Sequence, residues 1–305
     1  MRAWIVAWVV GGLGLGVVVS AILSLTSPLS SSNAVPHVFN VRDNGAVGDG
    51  ITNDAPAIQG VLDAIAAHRT GTAYFPAGTY LIDQPYGLVL KGEEIDRVLG
   101  AAIMGEAGAV IKLGQAITRR APGMYYLDVV YINWAHDVEV SGLTFQGISG
   151  SPSCAELCLV VHFGAATRRG TVSNNRFLDW QNGIAIDWSG AGESIITGNF
   201  IRGATAGILQ TNIQGRAIIA HNWIEGGVGA AAAQVYVENG GIVHGNRIDG
   251  FGAGVAYTTS YVGSGLVIDS NWMTGRGESP AFRQMGGQPA SNIVFGDNLV
   301  VGYTP

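Results

Sequence analysis

The chain has 305 residues, a formal net charge of −6, 46 glycines and only 12% charged residues. Its basic residues are scattered, with Arg119-Arg120 and Arg168-Arg169 the only adjacent pairs, so no basic stripe exists to collect phosphates and nucleic acid is excluded as a partner. A glycine-rich, charge-poor composition suits a solenoid with many turns better than a helical bundle.

At the N-terminus, Trp4 to Leu25 form an uncharged apolar run of 22 residues, preceded by Arg2 and followed by a Ser-rich stretch to Asn33. The run is long enough to span a bilayer, and Ser32-Asn33-Ala34 has the small-x-small form of a cleavage site, so a removed signal and a retained anchor both remain open. Arg2 on the starting side, with no Lys or Arg before Arg42, predicts that the body is exported. Residues 1–34 are therefore expected to target the chain and residues 35–305 to form one folded domain, secreted or held at the outer face of the membrane. Membrane contact is expected only through the N-terminal segment.

The domain opens with a helix signal. Asn53 or Asp54 can cap it, Pro56 lies in its first turn, and Ile58, Val61, Leu62 and Ile65 recur on one face. Such a helix can plug the first coil of a stack, whose open edge would otherwise template aggregation. The runs Ala102-Ile-Met-Gly-Glu and Val110-Ile-Lys-Leu suggest an early coil, and Val140 to Phe145 align with Val172 to Phe177, with an insertion near Ser149 to Glu156. Cys154 and Cys158 lie in that insertion and at its edge. An exported chain permits a bridge between them, and the alternative is a pair of small buried residues.

From there the chain repeats a phrase beginning at Asn175, Asn199, Asn222, Asn246, Asn271 and Asn298, with spacings of 24, 23, 24, 25 and 27. A period in the twenties, filled with short alternating runs and no ten-residue helical pattern, predicts stacked coils of strand. A leucine-rich solenoid needs leucines at fixed offsets, which this region lacks. The fold expected is all-β, a right-handed parallel β-helix with an N-terminal capping helix. Asparagine fits the repeated bend because it tolerates left-handed backbone and its amide can bond to the next coil. After the last asparagine the chain shows no second plug, an edge open to self-association.

The stretch from Phe39 to Asp54, continuing through Ala57-Ile-Gln59 to Ala73-Tyr-Phe-Pro-Ala-Gly-Thr-Tyr80, resembles the pectate-lyase-like superfamily, in the branch with rhamnogalacturonases, epimerases and phage tailspikes. With the repeats, the resemblance covers about residues 38 to 300. It implies the right-handed β-helix and a pectin-like or other polysaccharide partner. It does not fix a reaction, because the superfamily holds hydrolases, lyases, epimerases and non-catalytic binders. Trp180-Gln-Asn-Gly-Ile-Ala-Ile-Asp187 is similar to a polygalacturonase segment in which two aspartates precede Gly-Ile-Ala-Ile, but here Gln181 and Asn182 stand in their places. Neither amide can protonate a leaving oxygen or activate water, so that hydrolase site is not carried over. Asp49 and Asp54 read as turn and cap residues.

If Ile184 and Ile186 point inward, alternation sends Asp187 outward, with His162 and Tyr131 at the matching places one and two coils earlier. His162 and Tyr131 can supply base and acid for a lyase, and Arg168, Arg169 or Arg202 in adjoining turns can meet a uronate carboxylate. The bland account is an exposed polar column with no activity. A second outward column follows the ladder asparagines: Arg176, Phe200, Trp223, Arg247, Trp272 and Leu299. It suits sugar stacking on Trp223 and Trp272, or an oligomer contact. His221 and His244 read as turn residues. No metal site or cofactor is expected; calcium is conceivable, but Asp187 with Glu193 is too thin a set to assert one. The expected function is an extracytoplasmic lyase or glycosidase acting on an acidic polysaccharide through Tyr131, His162 and Asp187, with Arg168, Arg202, Trp223 and Trp272 binding substrate. The alternative is a non-catalytic adhesion or surface-binding β-helix that can form homo-oligomers.

Overall fold

The computed structural model describes residues 37–304 except 123, 125, 212–215, 227–234, 239, 251, 260–264, 278 and 288–291. The expected targeting segment, residues 1–34, lies outside the described residues, and among those described no helix is long and apolar enough to cross a membrane.

The repeat builds a right-handed parallel β-helix of three sheets, called A, B and C, with eleven, ten and eight strands among the described residues. One coil runs through Arg168–Ser173 in sheet A, Arg176–Leu178 in sheet B and Gly183–Trp188 in sheet C, then returns to sheet A at Ser194–Thr197. Every neighbour in the stack pairs in parallel, and the alignment of Val140 with Val172 and of Phe145 with Phe177 is kept in the register. The coil at Ala101–Gly105 and Ala109–Leu113 is also present.

Successive inward side chains pile into continuous columns. In sheet B the column is Phe145, Phe177, Ile201, Ile224, Ile248 and Met273, all buried, with the two phenyl rings stacked at 5.0 Å. Each such side chain contributes about 1.5–3 kcal/mol of burial, and no coil could supply it alone.

The turn between sheets A and B holds the asparagine ladder. Asn175, Asn199, Asn222, Asn246 and Asn271 each donate from Nδ2 to Oδ1 of the next asparagine, at 2.9–3.2 Å. That same Oδ1 also accepts the backbone N–H of the preceding ladder residue, as Asn222 Oδ1 does from Asn199. The left-handed backbone, expected at the asparagines, falls one residue earlier, at Asn174, Gly198, His221, Gly245 and Ser270. The asparagine can then stay in ordinary backbone geometry and turn its amide into the core.

The capping helix spans Ala55–His68 and buries Ala55, Ile58, Val61, Leu62 and Ile65 against the first coil. Asp54 holds the N-cap position, but its carboxylate accepts from the N–H groups of Val47, Gly48 and Leu81 and so ties the preceding loop to sheet B. Asp49, expected in a turn, opens the sheet B strand Asp49–Asn53; its carboxylate accepts from Ile51 N and Thr52 N, and those backbone bonds hold it below the usual range.

Cys154 and Cys158 form a disulfide, and both residues are buried. The bridge closes the tip of the insertion. Ile117 pairs with Cys154, and Ile117 N and Ala155 N donate to Ser153 O and Ile117 O. The insertion is thereby joined to the loop that leads to Tyr126.

Candidate functional site

The outer face of sheet C gathers the titratable groups. Tyr131, His162 and Asp187 stand in register on three adjacent strands, Asp128–Asn133, Cys158–Phe163 and Gly183–Trp188, as alternation from Ile186 implies. They do not form an exposed column. His162 is 2% and Asp187 5% exposed, and Tyr131 is half-buried.

A break in the alternation explains the enclosure. Val129 and Val130, Val160 and Val161, and Ala185 and Ile186 enter the core as consecutive pairs. The residue ahead of each pair is turned out onto the same face as the column. Ile184, expected inward, therefore lines an outer hollow of about 310 Å³ with Leu157, Leu209, Tyr236 and Arg283. Asp128, at the matching place two strands back, comes alongside His162.

His162 is held from both sides. Its Nδ1 donates to Asp128 Oδ1 at 2.8 Å. Its Nε2 lies 3.0 Å from Ser189 Oγ and 3.4 Å from Asp187 Oδ2. Ser189 Oγ also lies 3.0 Å from Phe163 O. The rings of Tyr131 and Tyr126 pack on the imidazole at 4.9 and 5.5 Å between centres. Tyr126 is 59% exposed and forms the outer wall. Asp128 Oδ2 is buried without a hydrogen-bond partner among the described residues.

Burial pushes the Asp187 carboxyl up to about 6; the Asp128 charge adds to the rise, while His162 and the Ser189 hydrogen bond oppose it. The set therefore joins a carboxyl that exchanges its proton near neutral pH to an imidazole and a second carboxylate, the kind of linkage that general acid–base work requires.

Two neighbours complete the face. Gly164 lies against Tyr131: a Cβ there would sit 2.5 Å from Tyr131 Oη, so only glycine leaves room for the phenol. Lys91 pairs with Asn133 one coil before, two residues along from Val89, which pairs with Tyr131, and its side chain is exposed.

The predicted arginines are placed elsewhere. Arg168 is exposed at the start of a sheet A strand, and its neighbour Arg169 makes a two-point ion pair with Asp137. Arg202 ends a sheet B strand, and Trp223 and Trp272 stand on sheet B as well. Asp187 and Glu193 also part company, since Glu193 borders a groove of about 730 Å³ on the outer face of sheet A, floored by Ile195, Ile218, Ile242 and Val267. Among the described residues no group of three or more His, Cys, Asp and Glu side chains is arranged to hold a metal ion. His221 takes the left-handed turn position beside the ladder, whereas His244, expected in a turn, ends the sheet A strand Gly241–His244 and lies 3.3 Å from Asp269.

Comparison with known proteins gives three kinds of likeness. A family model described as "Rhamnogalacturonase A/epimerase, pectate lyase-like" matches residues 38–277. Mannuronan C5-epimerase AlgE1 of Azotobacter vinelandii is 50% identical over 127 residues, which is 39% of this chain and 8% of that protein. Alginate lyase 7 of the same organism is 34% identical over 114 residues, 36% of this chain and 12% of that protein. The Streptococcus pneumoniae surface protein and adhesin PfbA superposes with a TM-score of 0.46 at 16% identity, covering 87% of this chain and 96% of that one. The chain spans less than a fifth of the length of the curated relatives it matches.

Proposed function

The chain belongs to the rhamnogalacturonase A/epimerase, pectate lyase-like family, and from that premise we propose that it acts outside the cytoplasm on a uronate-containing polysaccharide, by proton abstraction beside the uronate carboxylate. The observation that carries this reading is the Asp128–His162–Asp187 set enclosed beneath Tyr131 and Tyr126 on sheet C.

The chemistry needs a group to neutralise the sugar carboxylate and a base to take the proton from the adjacent carbon. Lys91, an exposed cation on the strand beside Tyr131, suits the first task. Tyr131, half-open to solvent, is the residue of the set that a sugar ring reaches, and His162 beneath it, braced by both aspartates, holds the proton balance. Removal of the proton leaves its electron pair delocalised into the carboxylate. If that pair then expels the neighbouring glycosidic oxygen, the outcome is a lyase; if a proton returns to the opposite face, it is an epimerase. The relatives named as an epimerase and an alginate lyase support this pairing of outcomes, and the missing aspartate pair at Gln181 and Asn182 argues against inverting hydrolysis. The Cys154–Cys158 bridge supports an oxidising, extracytoplasmic setting.

The test is incubation with polymannuronate, polyguluronate and polygalacturonate in heavy water, followed by proton NMR and ultraviolet absorbance. Deuterium entering the carbon beside the carboxylate, or a new unsaturated sugar end, is the expected result. No exchange and no double bond with all three would overturn the reading. A non-catalytic role is then favoured by the 2% exposure of His162, whose partners would be structural.

A further inference from the structure

A column on the outer face of sheet B takes no part in the sheet C site. Immediately after the ladder asparagines, Arg176, Phe200, Trp223, Arg247 and Trp272 stand in register on consecutive strands. They interleave cations with rings. The Arg176 guanidinium lies 4.8 Å from the centre of the Phe200 ring, and Phe200 meets Trp223 edge to face at 5.2 Å. Arg247 sits between the two indoles, 4.6 Å from Trp223 and 5.2 Å from Trp272. Arg202 approaches Phe200 from the side at 5.9 Å.

Three features of this column point to a ligand. Trp223 and Trp272 are 41% and 49% exposed, while Trp180 and Trp188 are buried, so this fold leaves indole in water at these positions of the repeat. The stacked guanidiniums hold the rings in fixed orientation, which lowers the ordering cost of binding. Arg176 and Arg202 form no ion pair among the described residues, and Arg247 alone is paired, with Asp249 at 2.9 Å. Arg202 is followed on the next two strands by Glu225 and Asp249, so the strip carries three guanidiniums beside two carboxylates in a chain whose formal net charge is −6. The coil rise, about 4.8 Å, is close to the advance of one ring in a 1,4-linked polysaccharide, so successive side chains can meet successive sugars.

We propose that this column is a second, non-catalytic site that binds an anionic polysaccharide lying along the helix axis. Guanidiniums meet the carboxylates, and the indoles stack on the apolar faces of the rings. The inference does not depend on catalysis at sheet C, only on the chemistry of the strip.

The experiment is electrophoresis of the whole protein through gels containing polygalacturonate, alginate or neutral dextran, repeated at rising salt. The acidic polymers should retard the parent and dextran should not. Trp223→Ala/Trp272→Ala should weaken retardation at least about tenfold, and Arg176→Gln should weaken it several-fold with a shallower salt dependence. Asp187→Asn should remain retarded. Trp223, Trp272 and Arg176 are exposed, and asparagine keeps the shape of the buried Asp187 carboxyl, so circular dichroism should show the parent fold in each variant. Iodide quenching of tryptophan fluorescence gives an independent reading, since bound polymer should protect the exposed indoles in the parent. Four results would overturn the proposal: no retardation of the parent by either acidic polymer; a double variant retarded like the parent; binding lost in Asp187→Asn but kept in the double variant; and a double variant whose only change in sedimentation and electrophoresis is dissociation of an oligomer. The last would assign the strip to contact with a second copy.

Discussion

Replacing Asp187 by asparagine should make the protein more stable at neutral pH and flatten its stability profile on the acid side. Burial raises the folded-state carboxyl from its ordinary 3.8 to about 6. Between those values the folded chain keeps a proton that the unfolded chain has lost, so stability falls as pH rises from about 4 to about 6 and remains at the lower level above that. That difference amounts to about 3 kcal/mol. For a chain of this size that corresponds to a melting-temperature difference on the order of 5 °C. The amide keeps the shape of the carboxyl and carries no charge to bury. Urea denaturation of parent and variant from about pH 4 to neutrality measures the effect. The two should agree at the acid end and diverge through the window, the variant ending higher. Parallel curves would refute the claim that burial of this charge sets the profile.

Other perturbations follow from the same geometry. Asn222→Ala removes donors to Ile196 O, Ala220 O and Asn246 Oδ1 and strands the buried N–H of Asn199, so it should cost about 2–4 kcal/mol by urea midpoint. Replacing Cys154 and Cys158 together by serine should cost about 2 kcal/mol, as expected for so short a closed loop, and should speed proteolysis between residues 147 and 157. Gly164→Ala should displace the Tyr131 hydroxyl and reduce hydrogen–deuterium exchange on uronate polymers at least about tenfold, with near-parent circular dichroism. Lys91→Gln should raise KM for acidic polymer more than it lowers kcat, seen in steady-state kinetics across substrate concentration.

Much of the architecture could be read before any coordinates. Regular asparagines gave the coil length, the Ile58–Ile65 face gave the plug, and period-two alternation brought Tyr131, His162 and Asp187 together and set Trp223 in line with Trp272. Alternation failed where two residues in a row turn inward. Nothing in the string Asp-Val-Val-Tyr distinguishes a strand that keeps its period from one that skips a beat, so Asp128 stayed hidden. Its relation to His162 spans 34 residues and depends on that skip. Burial of His162 and Asp187 was also out of reach, because the cover is Tyr126, delivered by a loop with no periodic signal of its own. Nearness in sequence does not place the arginines, because in a three-sided coil a few residues are enough to turn onto another sheet.

The ladder makes the coil interchangeable. Each asparagine offers its neighbours the same two-sided amide, so the joint above Asn199 is chemically the joint above Asn222. Excising the chain from Asn199 through His221 would bring Asn175 against Asn222 with donors and acceptors already matched. A molecule assembled from such couplings can change its length by whole units while its ends, its plug and the face bearing His162 stay as they are.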